Sequence, residues 1–392
     1  MTVRVNKSAF NIREKLSELA VKFGLKGTEL ARAETVQDAR DLVSAGRKNI
    51  VINGDMRIDQ RGLGTVSGTA VFGVDRFKLD FANGSNTTQR YALSSADGPP
   101  TEKFNYALRL TSGGDLTTSS SYVQVTYGIE HTDIFNSGWN YNYTGSGSTN
   151  NNLTVSFWVR SSVSSDVNWM FLTHKATAQV FRPEATRLTA GVWKKVIAKI
   201  PPNSNINFDN TTDLGASIYL FPHVGSSFTS TPTNLNGWEA WSGSKYGITN
   251  STWGGSSGAT FDLTGVQIEV SDNATEFERR TTGEELALCQ RYYEKIQPSN
   301  RVQGKMHTGT QAHFSLPFKV TKRTIPTVVS AECAYSSMWD GTSTYNSSVT
   351  FGDDGIGAYD VTFRLTLSST YSGADYRNIG GYGLVCAITA EF

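Results

Sequence analysis

Residues 260–295, TFDLTGVQIEVSDNATEFERRTTGEELALCQRYYEK, constrain this chain more than any other stretch. Phe261, Leu263, Val266, Ile268 and Val270 are apolar on alternate positions around a break at Gly265, the pattern of a half-buried strand. A polar return anchored by Phe277 follows. Thr282 then stands three residues before Glu285, the spacing of a capping box, in which each side chain satisfies an orphan backbone donor of the other. Leu286, Cys289 and Tyr293 continue at helical spacing and predict the buried face of a short helix. A closing strand, a capped helix and a fresh run of strands predict a hinge between two β regions.

On either side of that hinge the pattern is β. Strands are expected at residues 49–53, 75–81, 89–93, 106–111, 121–129, 153–160, 168–174, 193–200, 216–221 and 261–270. The clearest is LTVSFWVRSS, with Leu153, Val155, Phe157 and Val159 on one face. Short alternating runs separated by Gly, Ser and Asn suit a two-sheet jelly-roll sandwich over residues 49–281. Its first and last strands are expected to lie close together. Residues 282–296 form the hinge helix, and residues 297–392 read as a C-terminal β-sandwich, a candidate distal tip. Residues 1–48 differ from the rest. They lack Trp and Tyr, and Ile12, Leu16, Leu19 and Phe23 belong to a heptad seam ended by Gly24 and Gly27. An isolated helix of that length is marginal in water. The segment therefore needs a partner, which suggests anchoring or oligomerisation, or else packing on its own β region.

Charge excludes some partners. With 18% charged residues and a formal net charge of +1, nothing drives the chain toward nucleic acid or anionic lipid. The opening MTVRVNKSAF has no apolar stretch of a secretory signal, and no apolar run is long enough to span a bilayer. Synthesis in a cytoplasm without membrane insertion is the expectation. The three cysteines, Cys289, Cys333 and Cys386, have no metal-ligand spacing and read as reduced thiols.

Two long segments carry aromatics among small polar residues, Trp139, Tyr141 and Tyr143 within residues 132–152, and Trp238, Trp241, Tyr246 and Trp253 within residues 221–257. In the C-terminal region Trp339 and Tyr345 stand in a similar setting. Long loops are usually functional or disordered. These aromatics are candidate glycan or receptor contacts; the competing reading is that they pack in the core or against a neighbouring subunit. The strand layout resembles jelly-roll carbohydrate-binding modules, in which the corresponding strand ends flank a structural calcium; that resemblance makes Asp55 and Asp262 candidate ligands, although such a site takes about 6–8 oxygens. No nucleophile elbow, phosphate loop or dinucleotide fingerprint is present, and the adjacent pairs Asp353–Asp354 and Glu284–Glu285 do not make a glycosidase dyad. A non-enzymatic protein is expected.

The run LTGVQIEV…ATEFERRTTGEELALCQRYYEK resembles a recurring segment of bacteriophage tail-fibre and virion appendage proteins. KNIVINGDMRIDQRG at residues 48–62 and VDRFKLD at residues 74–80 resemble the opening of the same domain, which is similar to jelly-roll carbohydrate-binding modules. The resemblance covers residues 48–295. It implies a tail-fibre or spike subunit of the virion. Such a subunit is a homotrimer, joined to other virion proteins through its N-terminal helices, and it binds host-surface glycan or receptor through β-domain loops. A virion decoration or adaptor protein is the alternative, and a polysaccharide depolymerase the second.

Overall fold

The computed structural model describes residues 48–142 and 152–297 apart from 176 and 244. Beyond these it describes residues 302–329 apart from 309, then 337–339, 344–345, 350–357, 359–366, 378–382 and 385–392. The expected N-terminal helical segment with Ile12, Leu16, Leu19 and Phe23 lies outside the described residues.

The expected jelly-roll sandwich is present as two antiparallel sheets. Across the first run β1 (Val66–Ser67), β4 (Thr87–Ala92), β5 (Tyr106–Thr111), β14 (Thr260–Val270), β7 (Leu153–Ser161) and β11 (Lys194–Ile200). Across the second run β13 (Gly237–Ala240), β9 (Gln179–Arg182), β8 (Ser165–Thr173), β12 (Leu214–Val224), β6 (Tyr122–Glu130), β3 (Phe77–Ala82) and β2 (Val71–Val74), with β10 (Thr186–Leu188) also paired to β8. Period-two alternation fills the space between them. Val155, Phe157 and Val159 of β7 and Leu108 and Leu110 of β5 share one core with Val123 and Val125 of β6, Phe77 of β3 and Trp169 of β8. Each such side chain taken fully out of water stabilises the fold by about 1.5–3 kcal/mol.

The break at Gly265 is a bulge. The register of β14 against β7 shifts between Thr264 and Gln267, and Gly265 has φ +63°. A Cβ at this position meets the Phe104 ring at 2.6 Å, so glycine is required on two counts.

Residues 49–53 are not a strand. Ile50 N does donate to Ile268 O at 2.9 Å, so the segment lies along β14 as expected. The Asn49 side chain takes over the rest of the ladder. Its Oδ1 accepts from Ile268 N and Val51 N, each at 3.0 Å, and its Nδ2 donates to Val266 O at 3.2 Å. Asn53 and Met56 then turn with φ of 61° and 60°.

Two α-helices are described, α1 (His131–Phe135) and α2 (Thr282–Gln290). The capping box of α2 exists but sits one residue earlier than expected, between Thr281 and Glu284. Glu285 is drawn away instead, accepting from Asn53 N at 2.5 Å and Arg280 Nη1 at 3.3 Å. The helix ends at Gln290, which places Tyr293 at the head of β15 (Tyr293–Ile296).

The C-terminal β region forms two further antiparallel sheets. One orders β15, β24 (Cys386–Thr389) and β18 (Thr327–Val328). The other orders β20 (Thr344–Tyr345), β19 (Ser337–Trp339), β23 (Asn378–Tyr382), β16 (Val302–Thr308), β17 (Gln311–Pro317), β22 (Asp360–Thr366) and β21 (Thr350–Ile356). The three-stranded sheet is bound to the sandwich by buried charge. Arg76 donates to Glu391 Oε2 at 2.5 Å and to Gly128 O at 2.6 Å, with its guanidinium 3.4 Å from the centre of the Tyr292 ring. Arg291 grips Glu130 at 3.1 and 2.8 Å. Within the C-terminal region Lys322 meets Glu294 at 2.5 Å, both almost wholly buried.

Candidate functional site

Alternation that sends Phe77, Leu79, Val123 and Val125 into the core sends their neighbours to the outer face of the second sheet. There Lys78 and Asp80 on β3, Tyr122, Gln124 and Thr126 on β6, and Tyr219 on β12 are all half-buried. Register sets them side by side. Gln124 lies opposite Asp80, and Thr126 lies between Lys78 and Tyr219. Gln124 Nε2 donates to Asp80 Oδ2 at 3.4 Å, a long contact that leaves both groups hydrogen-bonding capacity.

One end of this face is walled by the segment after β12. Tyr246 stacks near-parallel on Phe228 (4.8 Å between ring centres, 19°), Phe221 (5.5 Å, 10°) and Trp241 (5.8 Å, 11°), and Phe221 is parallel to Tyr219 (6.3 Å, 11°). Tyr122 meets Tyr246 and Phe228 edge-on, each at 5.5 Å. The wall is fixed from below. Tyr246 N and Gly247 N both donate to Phe228 O at 3.0 Å, and the buried Arg182 holds Glu239 at 2.8 Å and Ser230 Oγ at 3.1 Å. At the other end a recess of about 80 Å³ lies among Tyr219, Thr126, Lys78 and Phe392.

Burial, and next the Asp80 carboxylate, push the Tyr122 and Tyr246 phenols above their ordinary range; burial does the same for Tyr219. All three stay neutral hydroxyls that donate and accept. The face therefore combines aromatic surface, a carboxylate, an amide and phenols.

Of the aromatics singled out from sequence, Trp241 and Tyr246 are brought to this face, and Tyr143 lies outside the described residues. Trp139 and Trp253 are core residues, 3% and 1% exposed. Trp139 packs against Phe208, whose ring also meets Tyr141 at 5.0 Å, and the Tyr141 hydroxyl donates to Phe208 O at 3.2 Å. Trp238 caps the sandwich edge against Phe171 and Phe181 and donates to Pro201 O at 2.7 Å. Trp339 and Tyr345 lie on β19 and β20, and their side chains are outside the described residues.

Asp55 and Asp262, the calcium candidates, are both held by arginines. Arg109 holds Asp262 at 2.7 and 2.9 Å and Arg160 holds it at 3.0 and 2.6 Å, so its oxygens serve two guanidinium groups. Arg57 Nε holds Asp55 at 2.6 Å. Among the described residues no group of three or more His, Cys, Asp or Glu side chains could hold a metal ion.

Tyr122, Gln124, Tyr219 and Asp80 were not picked out from sequence, where attention fell on loop aromatics. The available signal was alternation itself. In YVQVTY the odd positions, Tyr122, Gln124 and Thr126, are the outward set.

No protein-family model matches the chain, and no curated protein matches it in sequence. Solved structures give distant likenesses. A family 11 carbohydrate-binding module from Clostridium thermocellum, in complex with a beta-1,3-1,4-mixed-linked tetrasaccharide, is 12% identical, over 54% of this chain and 98% of that one, at a TM-score of 0.26. The CBM22-2 xylan-binding domain of Paenibacillus barcinonensis Xyn10C is 14% identical, over 57% and 99%, at 0.24. The enzymatically active domain of bacteriophage CBA120 tailspike protein 4 is 10% identical, over 57% of this chain but 21% of that one, at 0.26. Scores of this size establish no common fold, and the sandwich stands on its own strand order.

Proposed function

We propose that this chain is a non-catalytic, glycan-binding subunit of a bacteriophage appendage, with the outer face of the second sheet as its sugar-binding surface. The observation that carries the reading is the set of Tyr219, Tyr246 and Trp241, packed near-parallel around the buried Phe221 and standing beside Asp80 and Gln124. Sugars present C–H groups on their ring faces and hydroxyls at their edges. Aromatic rings match the first; a carboxylate, an amide and phenols match the second. Glycoside hydrolysis generally uses a pair of carboxylates. Asp80 is matched instead by an amide, which supports binding over cleavage.

The appendage assignment rests on the resemblance of residues 48–62, 74–80 and 263–295 to tail-fibre segments. Under this reading residues 1–48 anchor the chain to other virion proteins. A symmetric trimer then supplies avidity for a weak single-site interaction.

The test is a glycan array probed with the full chain, followed by titration of the best hit. The double variant Tyr219→Ala/Tyr246→Ala is expected to weaken binding at least about tenfold, as removal of central aromatic contacts does. Its fold is checked by circular dichroism. Unchanged affinity in a folded double variant rules out this face, and an array with no bound glycan rules out the function.

A further inference from the structure

The corner at which the outer face meets the C-terminal strands holds the recess of about 80 Å³. Strand register builds it. Phe72, Lys78, Thr126 and Tyr219 lie in one row across β2, β3, β6 and β12. The next outward position on β6 is Gly128, with Ser217 beside it on β12. Glycine leaves the backbone bare there, and Phe392 and Leu214 lean over it: a Cβ at Gly128 meets their side chains at 2.7 and 2.9 Å. Tyr219 belongs both to the recess and to the aromatic set. A sugar ring resting on Tyr219 therefore brings a ring substituent to the recess.

Size and lining select the substituent. A site for a whole small ligand spans about 300–1,000 Å³, so this recess takes a group of a few atoms and not a sugar ring. Its walls are apolar at Phe72, Leu214, Phe392 and the Tyr219 ring, all half-buried. Lys78, also half-buried, supplies a donor. Its ammonium can donate more than one hydrogen bond, and the one it makes runs to Phe392 O at 3.3 Å. It makes no ion pair among the described residues. The carboxylate in the lining, Glu391, is already held by Arg76. Apolar walls with one donor at their side match a group that joins a methyl to an acceptor oxygen. A carboxylate fits less well. It has no methyl, it loses water against apolar walls, and it adds a second negative charge beside Glu391.

We infer that the recess reads an N-acetyl group, so that the glycan taken by this face contains an acetamido sugar. The ring of that sugar lies on Tyr219, the acetyl methyl lies against Phe392 and Leu214, and the acetyl oxygen accepts from Lys78 Nζ. The inference rests on the glycan-binding reading above and names the sugar class for the same face.

The experiment is titration calorimetry of the full chain with trisaccharides of N-acetylglucosamine, glucose and glucuronic acid in the same linkage, and with the galacto counterpart of each. In at least one configuration the acetylated trisaccharide is expected to bind at least about tenfold more tightly than its neutral parent, the discrimination that one small apolar group gives in a fitted pocket. Thr126→Leu fills the recess from its wall, and Lys78→Met keeps the apolar stem and removes the donor. Each is expected to bring the ratio of the two Kd values toward one. The ratio is read rather than either affinity, because both residues also lie on the face. Circular dichroism checks both folds, and one folded variant is enough. Equal affinity for acetylated sugar and parent, or tighter binding of the acidic trisaccharide, overturns the inference and leaves the glycan-binding face standing. A ratio unchanged in a folded variant of either kind overturns it as well. So does failure of both acetylated trisaccharides to bind; the glycan array decides separately whether the face binds any sugar.

Discussion

At the scale of single residues, buried histidine sets a pH dependence. His223 is 5% exposed; its Nδ1 accepts from Gly254 N at 3.3 Å and its Nε2 lies 2.9 Å from Ser121 Oγ, whose own proton goes to Thr118 O. The neutral tautomer with hydrogen on Nε2 is thereby fixed. A second proton on Nδ1 points at the Gly254 N–H. Burial pulls the His223 pKa down to about 4. A folded pKa below the unfolded one means that the unfolded chain binds more protons between about pH 6.5 and 4, so this contribution is whole above pH 6.5 and fades as pH falls. At pH 5 it amounts to a loss on the order of 2 kcal/mol. Asp75 and Asp133, raised by burial to about 7 and about 6, slope the opposite way, losing their contribution as pH rises through those values. Comparison with His223→Gln isolates the histidine. The variant is expected to be less stable at pH 7 and to lose less melting temperature than the parent between pH 7 and 5. Asp262 shows why such sites are hard to read from sequence. Its partners lie far away in sequence, at residues 109 and 160, and become neighbours only through strand register.

At the scale of elements, long strands were legible and short ones were not. Residues 106–111 and 153–160 alternate over enough positions to declare a face. β2, β9, β10 and β13 are too brief to show a period, and neighbours impose them. The cap of α2 is similar. Thr281 and Thr282 each precede a glutamate by three residues, so sequence alone offers two equivalent boxes. The Asn53 backbone and Arg280 claim Glu285, and the choice falls to Thr281 with Glu284. Thr281→Ala is expected to cost about 1 kcal/mol in urea unfolding, and Thr282→Ala less than half of that. The candidate face is hidden in the sequence for a related reason. Its residues alternate with core positions on β3, β6 and β12, whereas of the loop aromatics Trp139 and Trp253 are core.

At the scale of the whole molecule, the junction between the sandwich and the C-terminal strands depends on Arg76. It is 2% exposed, paired with Glu391 and pressed on Tyr292. Arg76→Met leaves the Glu391 carboxylate buried without its cation, which costs about 3–5 kcal/mol. Calorimetry is expected to show the C-terminal strands melting before the sandwich in this variant. Adding Glu391→Gln is expected to recover part of the loss. Composition and alternation indicated two β regions, but no pattern in the chain announced that Glu391 returns to Arg76.

The C-terminal strand order has a topological consequence. The chain leaves the three-stranded sheet after β15, returns for β18, leaves again, and returns for β24. It therefore passes four times between that sheet and the seven-stranded one, and both sheets are woven from alternating pieces of sequence. A single backbone cut in either of the two middle passages, between β17 and β18 or between β18 and β19, leaves two fragments that each keep strands in both sheets. The two sheets are stitched to one another, whereas modules joined by a single linker are separated by one cut.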